Sequence, residues 1–441
     1  MNASLMLKQS AGIALLLALS GAAQAVPSFS RQTGMPCAAC HTSYPELTQF
    51  GRVFKLNGYT LSAGKQIQTE PGGGTAGLKI GEIPPLSAMV QLSATHMQKS
   101  DPAVQNDNVA FPQEASLFFA GAISEHLGAF VQMTYAQDAG AFEWDMTDVR
   151  YAKGAGSTVW GLTLNNNPSV QDLWNTTPTW GFPFAGSGSA NTPAAATLVD
   201  GGLAGDVGGV GAYAMFANHL YAEITGYRSA HQGETAPSPG STNTISGIAP
   251  YWRLAWQQSF GSDYLMVGAY GLMASLYSNP PSGSGADGIS GPKDKYNDYA
   301  LDAQYEHLIG TDMLTLRGTY IREKKTLDAS FAAGDASNAS DTLSTARANA
   351  SYHFGQQYAA SLGYFQATGS EDLALNPSSL TGSPDSRGEI LQGVYLPWQN
   401  VQVLLQYIAY NKFNGTRSDY DGAGRNASDN NTLYALLWLM W

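Results

Sequence analysis

The chain has 441 residues and a formal net charge of −12, with 13% charged, 44% hydrophobic and 11% aromatic residues. That acidic balance, with no basic stripe, disfavours nucleic acid as a partner and serves solubility first and cation attraction second. Walker loop, nucleophile elbow and His-Glu-x-x-His pattern are all missing from the sequence, which removes the commonest hydrolase and nucleotide-binding readings.

The first element is an address. After Lys8 an apolar run, Ala11 to Leu19, leads to Ala23-Gln24-Ala25. This is the form of an export signal with its cleavage site, so residues 1–25 are expected to be removed and the mature chain to begin near Val26. The run is shorter than the roughly 20 residues a spanning helix requires. Next come the two cysteines of the chain, Cys37 and Cys40, followed by His41. C-x-x-C-H is the attachment pattern of a c-type haem, with two thioether anchors and an axial imidazole. A disulfide, a redox dithiol and zinc compete with that reading; zinc would want further ligands at regular spacing, and none stands nearby. The segment 26–62 is too short to enclose one haem c by itself, and 63–85 is a Gly/Pro-rich linker. The enclosure must be borrowed from the rest of the chain. Met89, His96 and Met97 are candidates for the distal haem ligand, while Met35 is too close in sequence to reach over the ring; Arg31, Arg52 and Lys55 are candidate propionate partners.

From residue 86 onward the pattern has period two. Tyr299, Leu301, Ala303 and Tyr305 alternate with Ala300, Asp302, Gln304 and Glu306; Leu220, Ala222 and Ile224 alternate with Tyr221, Glu223 and Thr225. One face is apolar and the other wet, as in a strand lining a watery lumen. About sixteen such strands are expected, starting near Leu86, Glu114, Gly128, Asp145, Ser157, Val207, His219, Ala249, Asp263, Tyr296, Asp312, Thr342, Gln356, Arg387, Asn400 and Asn431. Their connections alternate between long and tight, the asymmetry of an all-β transmembrane antiparallel barrel in the bacterial outer membrane, which puts the N-terminus in the periplasm or the lumen. The last strand carries Leu433, Ala435, Leu437, Leu439 and Trp441 on one face, and Trp252, Trp256, Trp398, Trp438 and Trp441 are expected in aromatic girdles. Loop carboxylates such as Asp101, Asp107, Asp421 and Asp429 are oxygen donors of the kind iron accepts, but most such residues only form turns.

The stretch from Val26 to Tyr59 resembles the N-terminal haem segment of the fused outer-membrane cytochrome-porins through Pro27, Phe29, Arg31, Gln32, Thr33, Gly34, Cys37, Cys40, His41, Phe50, Gly51 and Phe54. The resemblance is specific over that stretch and only architectural over 86–441. It implies one covalent haem c on a barrel of about sixteen strands that plugs or caps its lumen with the haem segment. It also implies Fe(II) as extracellular electron donor, a periplasmic c-type cytochrome as acceptor, and an iron oxidase activity. Two other expectations stand beside it: a general extracellular electron conduit with no iron site, and a diffusion porin with a structural or sensory haem.

Overall fold

The computed structural model describes residues 26–61, 84–101, 106–136, 140–178, 181–230, 244–277 and 291–441. The expected export signal and nearly all of the expected linker lie outside the described residues. Sixteen strands follow one another: β1 Leu86–Met97, β2 Asn108–Ala122, β3 Leu127–Ala136, β4 Ala141–Ala155, β5 Thr158–Asn165, β6 Val207–Phe216, β7 Leu220–Ser229, β8 Ala249–Phe260, β9 Asp263–Tyr277, β10 Lys293–Ile309, β11 Asp312–Thr326, β12 Ser340–Phe354, β13 Tyr358–Gly369, β14 Ser386–Trp398, β15 Val401–Lys412 and β16 Thr432–Met440. Each pairs antiparallel with its neighbour, and β1 closes on β16 from Met89↔Met440 to Met97↔Thr432. Closure leaves no sheet edge, which is what a sheet in lipid requires.

The barrel is inside out. Outward positions include Val210, Ile224, Leu301 and Leu362, each at least 59% exposed, whereas Arg150, Arg253, Asp298 and Gln304 face the lumen at 0%. So large an apolar outer surface has no place in water and matches the lipid-facing band of a membrane barrel. Exposed rings form two girdles, with Phe260, Tyr358, Tyr395 and Trp398 near the tight turns and Phe142, Trp144, Tyr299 and Tyr364 toward the long loops. Trp438 departs from the girdle expectation: its parity on β16 turns it into the lumen, where it is 8% exposed.

Two strand starts also move. β2 begins six residues before the expected Glu114, because Asn108, Val109 and Ala110 pair with Thr95, Ala94 and Ser93, while Pro112, a residue that argues against a strand, sits among the unpaired residues 111–113 at the register shift between Gln91 and Ser93. β4 begins four residues before Asp145, across a second register shift opposite Gln132 and Met133.

The N-terminal segment lies inside the lumen at the short-turn end. It contains α1 Pro27–Thr33, α2 Cys37–Cys40 and α3 Gln49–Leu56. Thr48 caps α3 by accepting from the Gly51 amide at 3.1 Å. Gly51 lets α3 pack on α2, since a Cβ there would stand 2.3 Å from the Cys40 carbonyl oxygen. Phe29 joins the pieces, meeting Phe54 edge-on at 5.1 Å and stacking on Tyr59 at 5.4 Å.

Because the lumen wall is polar, this plug is held by polar contacts on many sides. Gln32 donates to the Ala120 carbonyl at 3.0 Å, Tyr59 to Asp148 at 2.6 Å, and Tyr213 to the Leu56 carbonyl at 2.8 Å. Arg52 grips Glu306 through two bonds of 2.6 and 3.1 Å, and Glu46 receives Arg317 at 2.7 Å with His353 at 3.4 Å. Burial pushes the Glu46 carboxyl up, but Arg317 and His353 more than offset it and hold the group well below the usual carboxylate range.

The long connection between β5 and β6, described over 166–178 and 181–206, folds back into the lumen above the plug. Asp172 accepts from the Trp174, Thr176 and Thr177 amides at 2.8–2.9 Å, and Trp174 Nε1 donates to Tyr264 at 2.6 Å. The Leu198 and Val199 amides bond Glu323 and Asp298, each at 2.7 Å. Lys55 reaches the Asp172 carbonyl at 2.7 Å and Asn175 reaches Pro45 at 3.2 Å, tying roof to plug.

Candidate functional site: a cavity around Cys37, Cys40 and His41

A cavity of about 350 Å³ separates the plug from the lumen wall of β16, β1, β2, β3 and β4. Its size falls within the roughly 300–1,000 Å³ of cofactor sites. Cys37, Cys40 and His41 all face it, together with Phe29, Phe50 and Phe54 from the plug. The wall contributes Met89, Phe118, Phe130, Met146, Trp438 and Met440, and the roof contributes Val170, Asn175 and Phe184.

The donors suit a covalently held haem. The two sulfurs are one helical turn apart at the ends of α2 and are free of a disulfide. Burial, helped by the neighbouring Cys37, pushes the Cys40 thiol up to about 11. His41 Nδ1 is buried with no hydrogen-bond partner, and burial lowers the imidazole to about 4, leaving it in the neutral form that binds iron. The walls are mostly hydrocarbon, aromatic ring and thioether, as a porphyrin face requires. Among the described residues no group of three or more His, Cys, Asp or Glu side chains is arranged to hold a metal ion on its own.

The other candidate residues separate clearly. Met89 lines the cavity and is 3% exposed. Met97 shares its lumen-facing parity but stands at the far end of β1, beside Asn106 and away from the cavity. His96 is corrected outright as a distal ligand: it has the opposite parity, is exposed, and pairs with Asp107 at 2.5 Å near the long loops. Arg52 is spent on Glu306, and Arg31 donates to the Leu86 carbonyl at the rim; neither lines the cavity, whereas Lys55 does. Met35 lines it as well.

The sequence reading missed Met146, Phe118, Phe130, Trp438 and Met440. A signal was available for some of them. In Tyr434-Ala435-Leu436-Leu437-Trp438-Leu439-Met440 both faces are apolar, which a strand with a watery lumen side does not need.

Glu114 and Asp145 also face the cavity. Their partners are neutral: Glu114 Oε1 receives Ser116 at 3.0 Å and Gln132 at 3.3 Å, and Asp145 receives Thr134 at 2.8 Å.

No family model matches the chain, and no curated protein matches it. Solved structures do. They include Salmonella typhi OmpF in complex with daunomycin, at 13% identity over 81% of this chain and 97% of that one with a TM-score of 0.48. An anion-selective porin from Comamonas acidovorans matches at 14% identity over 80% and 98%, TM-score 0.47. A loop-deletion mutant of OmpT, an outer membrane protein of Vibrio cholerae, matches at 12% over 81% and 98%, TM-score 0.45. These likenesses concern the fold alone.

Proposed function

We propose that the chain is an outer-membrane c-type cytochrome-porin that takes electrons from extracellular Fe(II) through one covalent haem and passes them to a periplasmic cytochrome. The observation that carries this reading is the cavity: the plug brings Cys37, Cys40 and His41 to one apolar space that neither plug nor barrel encloses alone. When bound there, a haem supplies a one-electron couple at its iron. Cys37 and Cys40 would tether it through thioethers, His41 would offer the proximal nitrogen, and the aromatic and methionine wall would exclude water. Met89 is the wall methionine of the candidate distal set that faces this space.

The inside-out barrel supports a membrane setting, and short turns in such barrels face the periplasm. The cavity is then in the periplasmic half, since Met89 is the fourth residue of β1 and Met440 the last of β16. Glu114 and Asp145 present carboxyl oxygens to it. Plug and roof bond to opposite walls of the lumen, an arrangement that favours electron transfer over free diffusion of solutes.

The test is stopped-flow spectroscopy of the purified, oxidised, haem-loaded protein mixed with Fe(II) near neutral pH. Rapid appearance of the reduced haem bands, lost on His41→Ala, is the expected result. A haem that stays oxidised with Fe(II) yet accepts electrons from dithionite would remove the iron assignment and leave a general conduit. A purified chain without covalent haem would remove the cytochrome reading altogether.

A further inference from the structure

The plug meets the barrel rim at one hairpin through the residues of the C-x-x-C-H region itself. Gln399 lies in the tight turn between β14 and β15 and is exposed. Its Oε1 accepts from the Cys37 amide at 3.4 Å, and its carbonyl accepts from the Tyr44 hydroxyl. Gln402, just inside β15, fixes the same tyrosine by accepting from the Tyr44 amide at 2.8 Å and donating to its carbonyl at 3.5 Å. The Tyr44 ring stands edge-on to His41 at 5.4 Å between centroids and is 5% exposed. One buried phenol thus connects His41 to the backbone of an exposed short turn. Other plug anchors, among them Gln32 to Ala120, Arg52 to Glu306, and Glu46 to Arg317 and His353, leave from residues before or after this stretch.

We propose that Tyr44 and Gln399 form the electron exit, and that the β14–β15 turn is the surface on which a one-electron-accepting periplasmic protein docks. This rests on the haem reading above. The reduced iron would lose one electron and the acceptor's centre would gain it; no bond forms or breaks and no proton moves. Tunnelling weakens steeply with distance and more steeply across empty gaps than through packed, hydrogen-bonded atoms. The contact of His41, Tyr44 and Gln399 offers such a path, and the turn that ends it projects almost nothing beyond the rim to hold an acceptor away. Tyr44 acts here as a positioning residue.

The experiment starts from haem-loaded protein reduced with dithionite and freed of excess, so Fe(II) plays no part. It is mixed with an oxidised soluble c-type cytochrome, and haem re-oxidation is followed at several ionic strengths. Tyr44→Leu is expected to slow re-oxidation several-fold, and Tyr44→Phe less, after each rate is corrected for that variant's own measured midpoint potential. Gln399→Lys and Gln399→Glu are expected to shift the second-order rate in opposite directions, while Gln356→Lys in the neighbouring β12–β13 turn leaves it alone. Unchanged rates in Tyr44→Leu, or equal effects of lysine at 399 and 356, would overturn the exit. Should Tyr44→Leu fail to load haem, the charge pair at Gln399 decides the question, since the Tyr44 hydroxyl bonds the backbone carbonyl of that position. Protein that re-oxidises as expected but ignores Fe(II) would keep the exit and sink only the iron donor.

Discussion

Removing the carboxylate of Glu306 tests whether the plug is a separately dockable unit. Arg52 and Glu306 are 5% and 4% exposed and meet through two short bonds, so Glu306→Gln leaves a buried guanidinium facing a neutral amide. Breaking one side of such a pair costs about 3–5 kcal/mol. Arg52 keeps its bond to the Leu47 carbonyl at 2.9 Å and its position 4.6 Å over the Tyr264 ring, which points to the low end of that range. Three kcal/mol is about a hundredfold in an equilibrium constant. Hydrogen exchange followed by mass spectrometry in detergent is the assay. Amides of Gln49–Leu56 are expected to lose about a hundredfold in protection, with Ser386–Trp398 unchanged, because the barrel ladder does not depend on this pair. The double variant Arg52→Met/Glu306→Leu is expected to recover most of the loss. Equal deprotection of plug and barrel, or none in either, would refute the reasoning.

Gly51→Ala places a methyl 2.3 Å from the Cys40 carbonyl oxygen and should push α3 off α2; covalent haem, measured as the pyridine haemochrome, is expected to fall sharply. Glu114→Gln/Asp145→Asn, which removes two carboxyl oxygens from the cavity wall, should slow haem reduction by Fe(II) several-fold while leaving reduction by dithionite unchanged. For Glu46 the folded value lies below the ordinary carboxylate value of about 4.3, so its contribution is complete above that pH and is lost progressively as pH falls from there to the lower folded value. Plug protection should therefore begin to fall as pH drops below the ordinary carboxylate value and keep falling toward the lower folded value, and Glu46→Gln should abolish that acid-dependent loss. On the outside, Leu301→Arg puts a charge on a 63%-exposed lipid-facing position and should cost about 2–4 kcal/mol in denaturant unfolding from bilayers if that position lies near the midplane; an unchanged midpoint would count against the assigned lipid face.

The barrel was legible because lipid on one side and water on the other impose period two on every strand, and parity alone assigned Glu223, Asp302 and Glu306 to the lumen. Legibility failed where a local irregularity broke that rule. Pro112 hid the start of β2, and the register shift opposite Gln132 hid the start of β4. The inward fold of 166–206 was hidden because a polar connection reads the same whether it meets water or a polar wall. Arg52 and Glu306 are 254 positions apart, and only closure of the ring brings them together.

The two sides of the lumen show why a plug this small can do the work. On β10 and β11 the inward residues include Asp298, Asp302, Glu306, Arg317 and Glu323, whose hydrogen bonds and ion pairs hold the plug and roof. On β16, β1, β2 and β3 they include Met440, Trp438, Met89, Phe118 and Phe130, an apolar strip that water would gain nothing from wetting. The charged side therefore fixes the plug's position by directional bonds, and the apolar side faces Cys37 and His41 across the cavity. A plug anchored only by apolar contacts would compete for the surface the cavity needs, and one in a uniformly polar lumen would leave it without walls. The division of labour between the two arcs lets thirty-odd residues carry a buried site without a core of their own.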